Sequence, residues 1–158
     1  MPEADYDPEI RTKLVEYLSA TVPSDCVRHI DESYIFGSLA SGRFANPSDV
    51  DVFFVMDEWE HPGKVDINMT CMANVPEAVE QGLGRQRDEW WSGRAEWGMR
   101  PEEVIEEIPE YVVEMFRAII AEPFRTACSQ RWVDVYVGTR SQLDAYANET
   151  EQLPFPDR

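Results

Sequence analysis

One stretch constrains the fold of this chain more than any other: Tyr34-Ile35-Phe36-Gly37-Ser38, ten further residues, and then Asp49-Val50-Asp51 running into Val52-Phe53-Phe54-Val55. Tyr34 to Phe36 reads as the end of a strand, and Gly37-Ser38 as the turn that stops it. Leu39 to Phe44 has the composition of a short helix, broken by Asn46-Pro47-Ser48. Asp49 to Met56 then reads as a second strand. Residues 52–55 are apolar on both faces, as a buried central strand requires.

The residue types in this unit suit one kind of chemistry. Glycine at 37 lets the backbone turn sharply and lets an anion come close. Ser38 can donate its hydroxyl and its N–H, and free N–H groups of a helix starting at 39 would face the same anion. Gly42 allows tight packing of that helix. Asp49 and Asp51 are two apart on a strand, so period two puts both carboxylates on one face. Adjacent carboxylates repel and favour a cation between them, and magnesium takes carboxylate together with phosphate oxygens. A third acid would complete such a centre. Asp134, in Val133-Asp-Val135 on a longer predicted strand, is the favoured candidate. Asp66, in Val65-Asp-Ile67, has the same local pattern and is the alternative.

These residues resemble the signature of the polymerase-beta-like nucleotidyltransferase superfamily, most closely its minimal members, whose mark is Gly-Ser, ten residues and Asp-x-Asp. The resemblance implies a mixed sheet with helices packed mainly on one face. It implies magnesium-dependent transfer of a nucleoside monophosphate, commonly AMP from ATP, to an acceptor hydroxyl, with pyrophosphate released. On that pattern Gly37 and Ser38 would hold the triphosphate, helped by Gly42, Arg43 and Ser48. Asp49, Asp51 and Asp134 would hold two magnesium ions. The chain departs from the pattern in two places. Many minimal members carry arginine just before the second glycine, where this chain has Ser41-Gly42-Arg43, and the gap from Asp51 to Asp134 is longer than in the minimal enzymes.

The rest of the chain reads as a mixed α/β (α+β) arrangement in a single domain over 1–158, with 73–128 a largely helical insertion between core strands. Residues 8–21 carry Ile10, Leu14, Tyr17 and Leu18 at helical spacing. A strand is expected within 26–36, and another over Lys64–Met72. Residues 76–92 read as helix, with Gly82 and Gly84 counting against it, and 92–100 as a loop. The stretch 101–121 reads as helix with a wide apolar face, divided near Pro109. That face reads as core, and its width would also serve a dimer or a partner protein. Arg131–Gly138 reads as a strand, Ser141 as the cap of a short helix to about Asn148, and the Pro-rich tail as loosely docked. Trp90, Trp91 and Trp97, with Arg85, Arg87, Arg94 and Arg100, form an aromatic and basic island. It reads either as a stacking surface or as core tryptophans beside solvated arginines.

Composition narrows the partners. The chain has 158 residues, 43% of them hydrophobic, enough for one domain with a real core. Its net charge of −17 repels phosphate backbones and disfavours a long nucleic acid partner. No run approaches the roughly 18 apolar residues of a membrane span, and the acidic start Met1-Pro-Glu-Ala-Asp is no secretory signal. The expected location is the cytoplasm. The three cysteines, Cys26, Cys71 and Cys128, are scattered and read as free thiols. The acceptor is open at this level: a protein side chain, as in toxin–antitoxin pairs, or a small molecule of the aminoglycoside type. A member that keeps the fold without catalysis, as a binding or assembly protein, is the reading from a different class.

Overall fold

A computed structural model describes residues 9–37, 50–57, 77–96, 110–120, 124–125, 130–147 and 149–156. Helices α1 (Ile10–Thr21) and α2 (Ser24–Val27) lead into β1 (Glu32–Phe36) and β2 (Val50–Val55). Next come α3 (Glu77–Glu96), α4 (Glu110–Ile119) and the short pair β3 (Phe124–Arg125) and β4 (Gln130–Arg131). The chain closes with β5 (Val133–Gly138), α5 (Arg140–Tyr146) and β6 (Thr150–Leu153). Four strands form the main sheet in the order β5-β2-β1-β6. β1 runs antiparallel to both of its neighbours, while β2 and β5 are parallel. This is a mixed sheet, as the family resemblance implied.

The two sheet faces are built differently, and the strand sequences say why. On one face Ile35, Val50, Val52, Phe54 and Val135 meet Ile10, Leu14 and Leu18 of α1 and Val112, Met115 and Phe116 of α4 in the main core. The spacing of four between the α1 residues stacks them on one side of the helix. On the other face Phe36, Phe53 and Val55 pack with Leu143 of α5, and Tyr34 and Tyr136 lie against them. The larger helices thus cover one face, and among the described residues only the short α5 covers part of the other. Among the described residues no helix is long and apolar enough to cross a membrane.

Phe54 lies at the centre of the main core. Its ring meets that of Phe116 edge-on at 5.3 Å and that of Phe155 at 6.1 Å. Phe54→Ala should therefore cost about 3–5 kcal/mol of folding stability. Urea denaturation of the two proteins measures it, and a cost below about 1 kcal/mol would contradict this packing.

Three readings of the sequence need correction. The tail is not loosely docked: β6 pairs with β1 over Ser33↔Leu153 to Phe36↔Thr150, the Ser33 hydroxyl donates to the Phe155 carbonyl, and Phe155 is buried. Thr150-Glu-Gln carries no apolar alternation because this edge strand buries only Leu153. Residues 24–27 form a helical turn after Pro23, and the first strand, Glu32–Phe36, lies within the 26–36 stretch expected to hold it. The cap of α5 is Thr139 rather than Ser141. Its N–H donates to Gln142 Oε1 at 2.9 Å and its hydroxyl accepts from the Gln142 N–H, a reciprocal capping box. Helix α3 runs through to Glu96, so residues 92–96 are not loop. It does so in spite of Gly82 and Gly84, which cost a helix about 1 kcal/mol each relative to alanine. The Lys64–Met72 strand, the 39–44 helix and the Pro109 kink fall outside the described residues. Cys26 is a buried free thiol, as expected of it; Cys71 and Cys128 lie outside the described residues.

At the far end of the sheet a polar cluster ties β1, β2 and α5 together. Arg140 pairs with Glu32, donates from Nη1 to the Tyr34 hydroxyl at 3.0 Å, and donates its backbone N–H to Asp57 Oδ1 at 2.8 Å. The Tyr34 hydroxyl itself donates to Glu32. Burial, and then the nearby Asp144 and Asp57 charges, raise the Tyr34 phenol above its ordinary pKa. The folded chain therefore holds this proton more tightly than the unfolded chain does. That contribution to stability is fully present below the ordinary tyrosine value of about 10 and is lost as pH rises through the folded value. Urea midpoints above pH ~10 should fall more steeply for the wild type than for Tyr34→Phe. Parallel curves would contradict it.

Candidate active site

The turn after β1 and the starts of β2 and β5 lie at the same end of the sheet. This follows from strand direction: β1 runs toward that end, and β2 and β5 run away from it. One row of register crosses the sheet there, with Phe36 opposite Asp51 and Asp51 opposite Asp134. Residues opposite one another share a face, so the two aspartates stand side by side on adjacent strands. Asp51 is half-buried and Asp134 is exposed. Alternation forces the same arrangement, because Val50, Val52, Val133 and Val135 all point into the main core.

Gly37 completes the corner. Its φ is +74°, a left-handed conformation that side chains with a Cβ rarely adopt. A Cβ built there would sit 2.8 Å from Asp51 Oδ2. The glycine therefore does two things: it turns the chain out of β1 and leaves the Asp51 carboxylate against bare backbone.

Behind the acids stands an aromatic wall on the same face, one row further along. Phe53 and Tyr136 are opposite one another across β2 and β5. The Phe36 ring meets Tyr136 edge-on with centroids 5.0 Å apart, and Phe53 at 6.4 Å. Gly138 is packed closely at the far end of β5, where an added Cβ would come within 2.6 Å of the Phe53 ring. The wall excludes water from one side of the acid pair, and a lower local dielectric strengthens every charge interaction beside it. The sequence reading missed this wall. Its signal was present, because Asp51-x-Phe53 and Asp134-x-Tyr136 place an aromatic two residues past each acid.

Of the expected site residues, Gly37, Asp51 and Asp134 come together in this corner. Ser38, Gly42, Arg43, Ser48, Asp49 and Asp66 fall outside the described residues, so Asp134 is the candidate third acid whose place is defined. Among the described residues no group of three or more His, Cys, Asp or Glu side chains is gathered to hold a metal. The donors present, two carboxylates on one face beside an open backbone corner, suit a hard divalent cation that takes its remaining ligands from phosphate and water. In the aromatic and basic island Arg85 is exposed on α3. The side chains of Arg87, Trp90, Trp91 and Arg94, and all of Trp97 and Arg100, lie outside the described residues.

The family model for the nucleotidyltransferase domain matches residues 12–118, more than half of the chain. The chain thus belongs to the nucleotidyltransferase domain family, within the polymerase-beta-like superfamily, and its mixed sheet agrees with that fold. Membership supports transfer of a nucleoside monophosphate from a nucleoside triphosphate, in a family that generally works with a divalent metal. No curated protein and no solved structure gives a significant match.

Proposed function

We propose that this protein is a magnesium-dependent nucleotidyltransferase that moves a nucleoside monophosphate, AMP from ATP in the leading case, onto an acceptor hydroxyl. The observation that carries this reading is the register Asp51↔Asp134 beside the left-handed Gly37. Backbone at Gly37 and Ser38 binds the triphosphate. Asp49, Asp51 and Asp134 hold two magnesium ions, which when bound neutralise charge on the phosphates and on the leaving pyrophosphate. Asp134 faces the acceptor and takes the proton from its hydroxyl. The acceptor oxygen forms a bond to the α-phosphorus, the α–β phosphoanhydride bond breaks, and pyrophosphate leaves with its electron pair. The chain's part is positioning and charge compensation.

The single-domain organisation over 1–158, with 73–128 inserted between core strands, is part of this proposal. So is a cytoplasmic location. The inserted-segment organisation is supported by β2 and β5 being sheet neighbours although α3 and α4 intervene in the chain. The acceptor is proposed to be a protein side chain or a small hydroxylated molecule, since the charge of −17 opposes a long nucleic acid.

Incubating the purified chain with magnesium and each of ATP, GTP, CTP and UTP tests the reaction. Pyrophosphate release, or label transferred from an α-labelled triphosphate, is expected for at least one nucleotide and should stop on chelation of the metal. If no nucleotide binds in the presence of magnesium, the chain is a binding or assembly protein on the same fold.

A further inference from the structure

Trp132 stands apart from the other large apolar side chains. It is 51% exposed, whereas the other large hydrophobics described are buried or partly so. Its place is defined by the backbone: the Val50 N–H donates to the Trp132 carbonyl at 2.9 Å, directly before β5 begins. Burial alternates from there, with Trp132 and Asp134 exposed and Val133 and Val135 buried. Period two therefore puts the indole on the same side of the strand as the Asp134 carboxylate, about 7 Å along the chain.

The order of strands gives that indole a side. The turn at Gly37 belongs to β1, which flanks β2 on one side, and Trp132 leads into β5 on the other. Across the sheet Asp51 lies between them, and Asp134 is on the indole's own strand, two residues further along. Each strand spacing is about 4.8 Å, so turn and indole are on the order of 10 Å apart across the site. A triphosphate held at Gly37 reaches the acids from the β1 side. The indole face is then on the side from which an acceptor must approach Asp134.

Charge says what the face would take. The chain carries −17, and two aspartates stand beside the indole. A tryptophan face attracts cations most strongly of the aromatic side chains. We infer that Trp132 is the acceptor platform, holding a positively charged group of the acceptor so that a neighbouring hydroxyl lies at Asp134. This inference rests on the nucleotidyl-transfer reading and extends it to a residue and a substrate class.

The full-length chain labelled with 5-fluorotryptophan gives the test, with Trp132→Phe used to assign the resonance. Choline serves as the minimal hydroxylated cation, and 3,3-dimethylbutan-1-ol as its uncharged counterpart. Choline should move the Trp132 fluorine signal, and the neutral alcohol at equal concentration should move it far less. Calorimetry with α,β-methylene-ATP and magnesium should give Kd values for the wild type and Trp132→Ala within about twofold of each other. Equal shifts from the two alcohols, or no shift from choline, would overturn the inference. So would tenfold weaker nucleotide binding in Trp132→Ala, because the indole would then serve the base. Failure of the wild type to bind the nucleotide analogue would instead overturn the nucleotidyl-transfer reading, and the choline arm would still report on Trp132.

Discussion

Asp51→Asn is expected to lower nucleotidyl transfer by about a thousandfold while leaving the fold intact. Loss of a carboxylate that holds the metal removes several kcal/mol of transition-state stabilisation, and each 1.36 kcal/mol is a factor of ten. The stability side runs the other way. Asp51 and Asp134 are opposite each other in register, and like charges so placed are destabilising by a few tenths of a kcal/mol up to about 1. Asparagine has nearly the same shape and removes that repulsion. The melting temperature without metal should thus stay level or rise slightly as activity collapses, and added magnesium should stabilise the wild type more than the variant. Pyrophosphate release and thermal melts on the same preparations read both quantities. Activity within tenfold of the wild type would remove Asp51 from the metal site. A collapse of activity together with a large loss of stability would say that the residue is structural.

Gly37→Ala should impair stability and activity together, which separates it from Asp51→Asn. An alanine at φ +74° is strained by about 1–3 kcal/mol. Its Cβ would also stand 2.8 Å from Asp51 Oδ2, closer than real Cβ contacts come, so either the turn or the carboxylate must move. Movement of the carboxylate by an ångström is enough for about a hundredfold loss of rate. Chemical denaturation and pyrophosphate release on Gly37→Ala measure the two effects. A variant as stable and as active as the wild type would show that neither the turn nor the approach to Asp51 matters.

Much of this corner could be read from residues alone, for a physical reason. A central strand buried on both faces must be apolar throughout, so an aspartate in one stands out. Asp51 in Val50-Asp-Val52 of the central strand β2 is such a departure; Asp134 in Val133-Asp-Val135 repeats the pattern on the edge strand β5, and the two are direct neighbours across β2 and β5. Gly37 was legible because a strand that ends at a left-handed turn needs glycine. What local pattern could not supply was pairing. β6 has a polar sequence because its stability comes from hydrogen bonds to β1 and from Leu153 and Phe155. The α2 turn is four residues long and leaves little periodicity to detect. Thr139 was overlooked as a cap because it follows a strand glycine directly, with Ser141 two residues on offering a rival signal. Trp132 reads from sequence as one more strand aromatic, because local pattern does not tell an exposed indole from a buried one.

Counting bound metal tests the central claim most directly. Manganese, titrated by electron paramagnetic resonance in the presence of α,β-methylene-ATP, should bind the wild-type chain at about two ions per molecule. That number should fall in Asp51→Asn and also in Asp134→Asn. An unchanged stoichiometry in both variants would mean that the paired aspartates do not hold the ions, and the nucleotidyl-transfer centre would have to lie elsewhere in the chain.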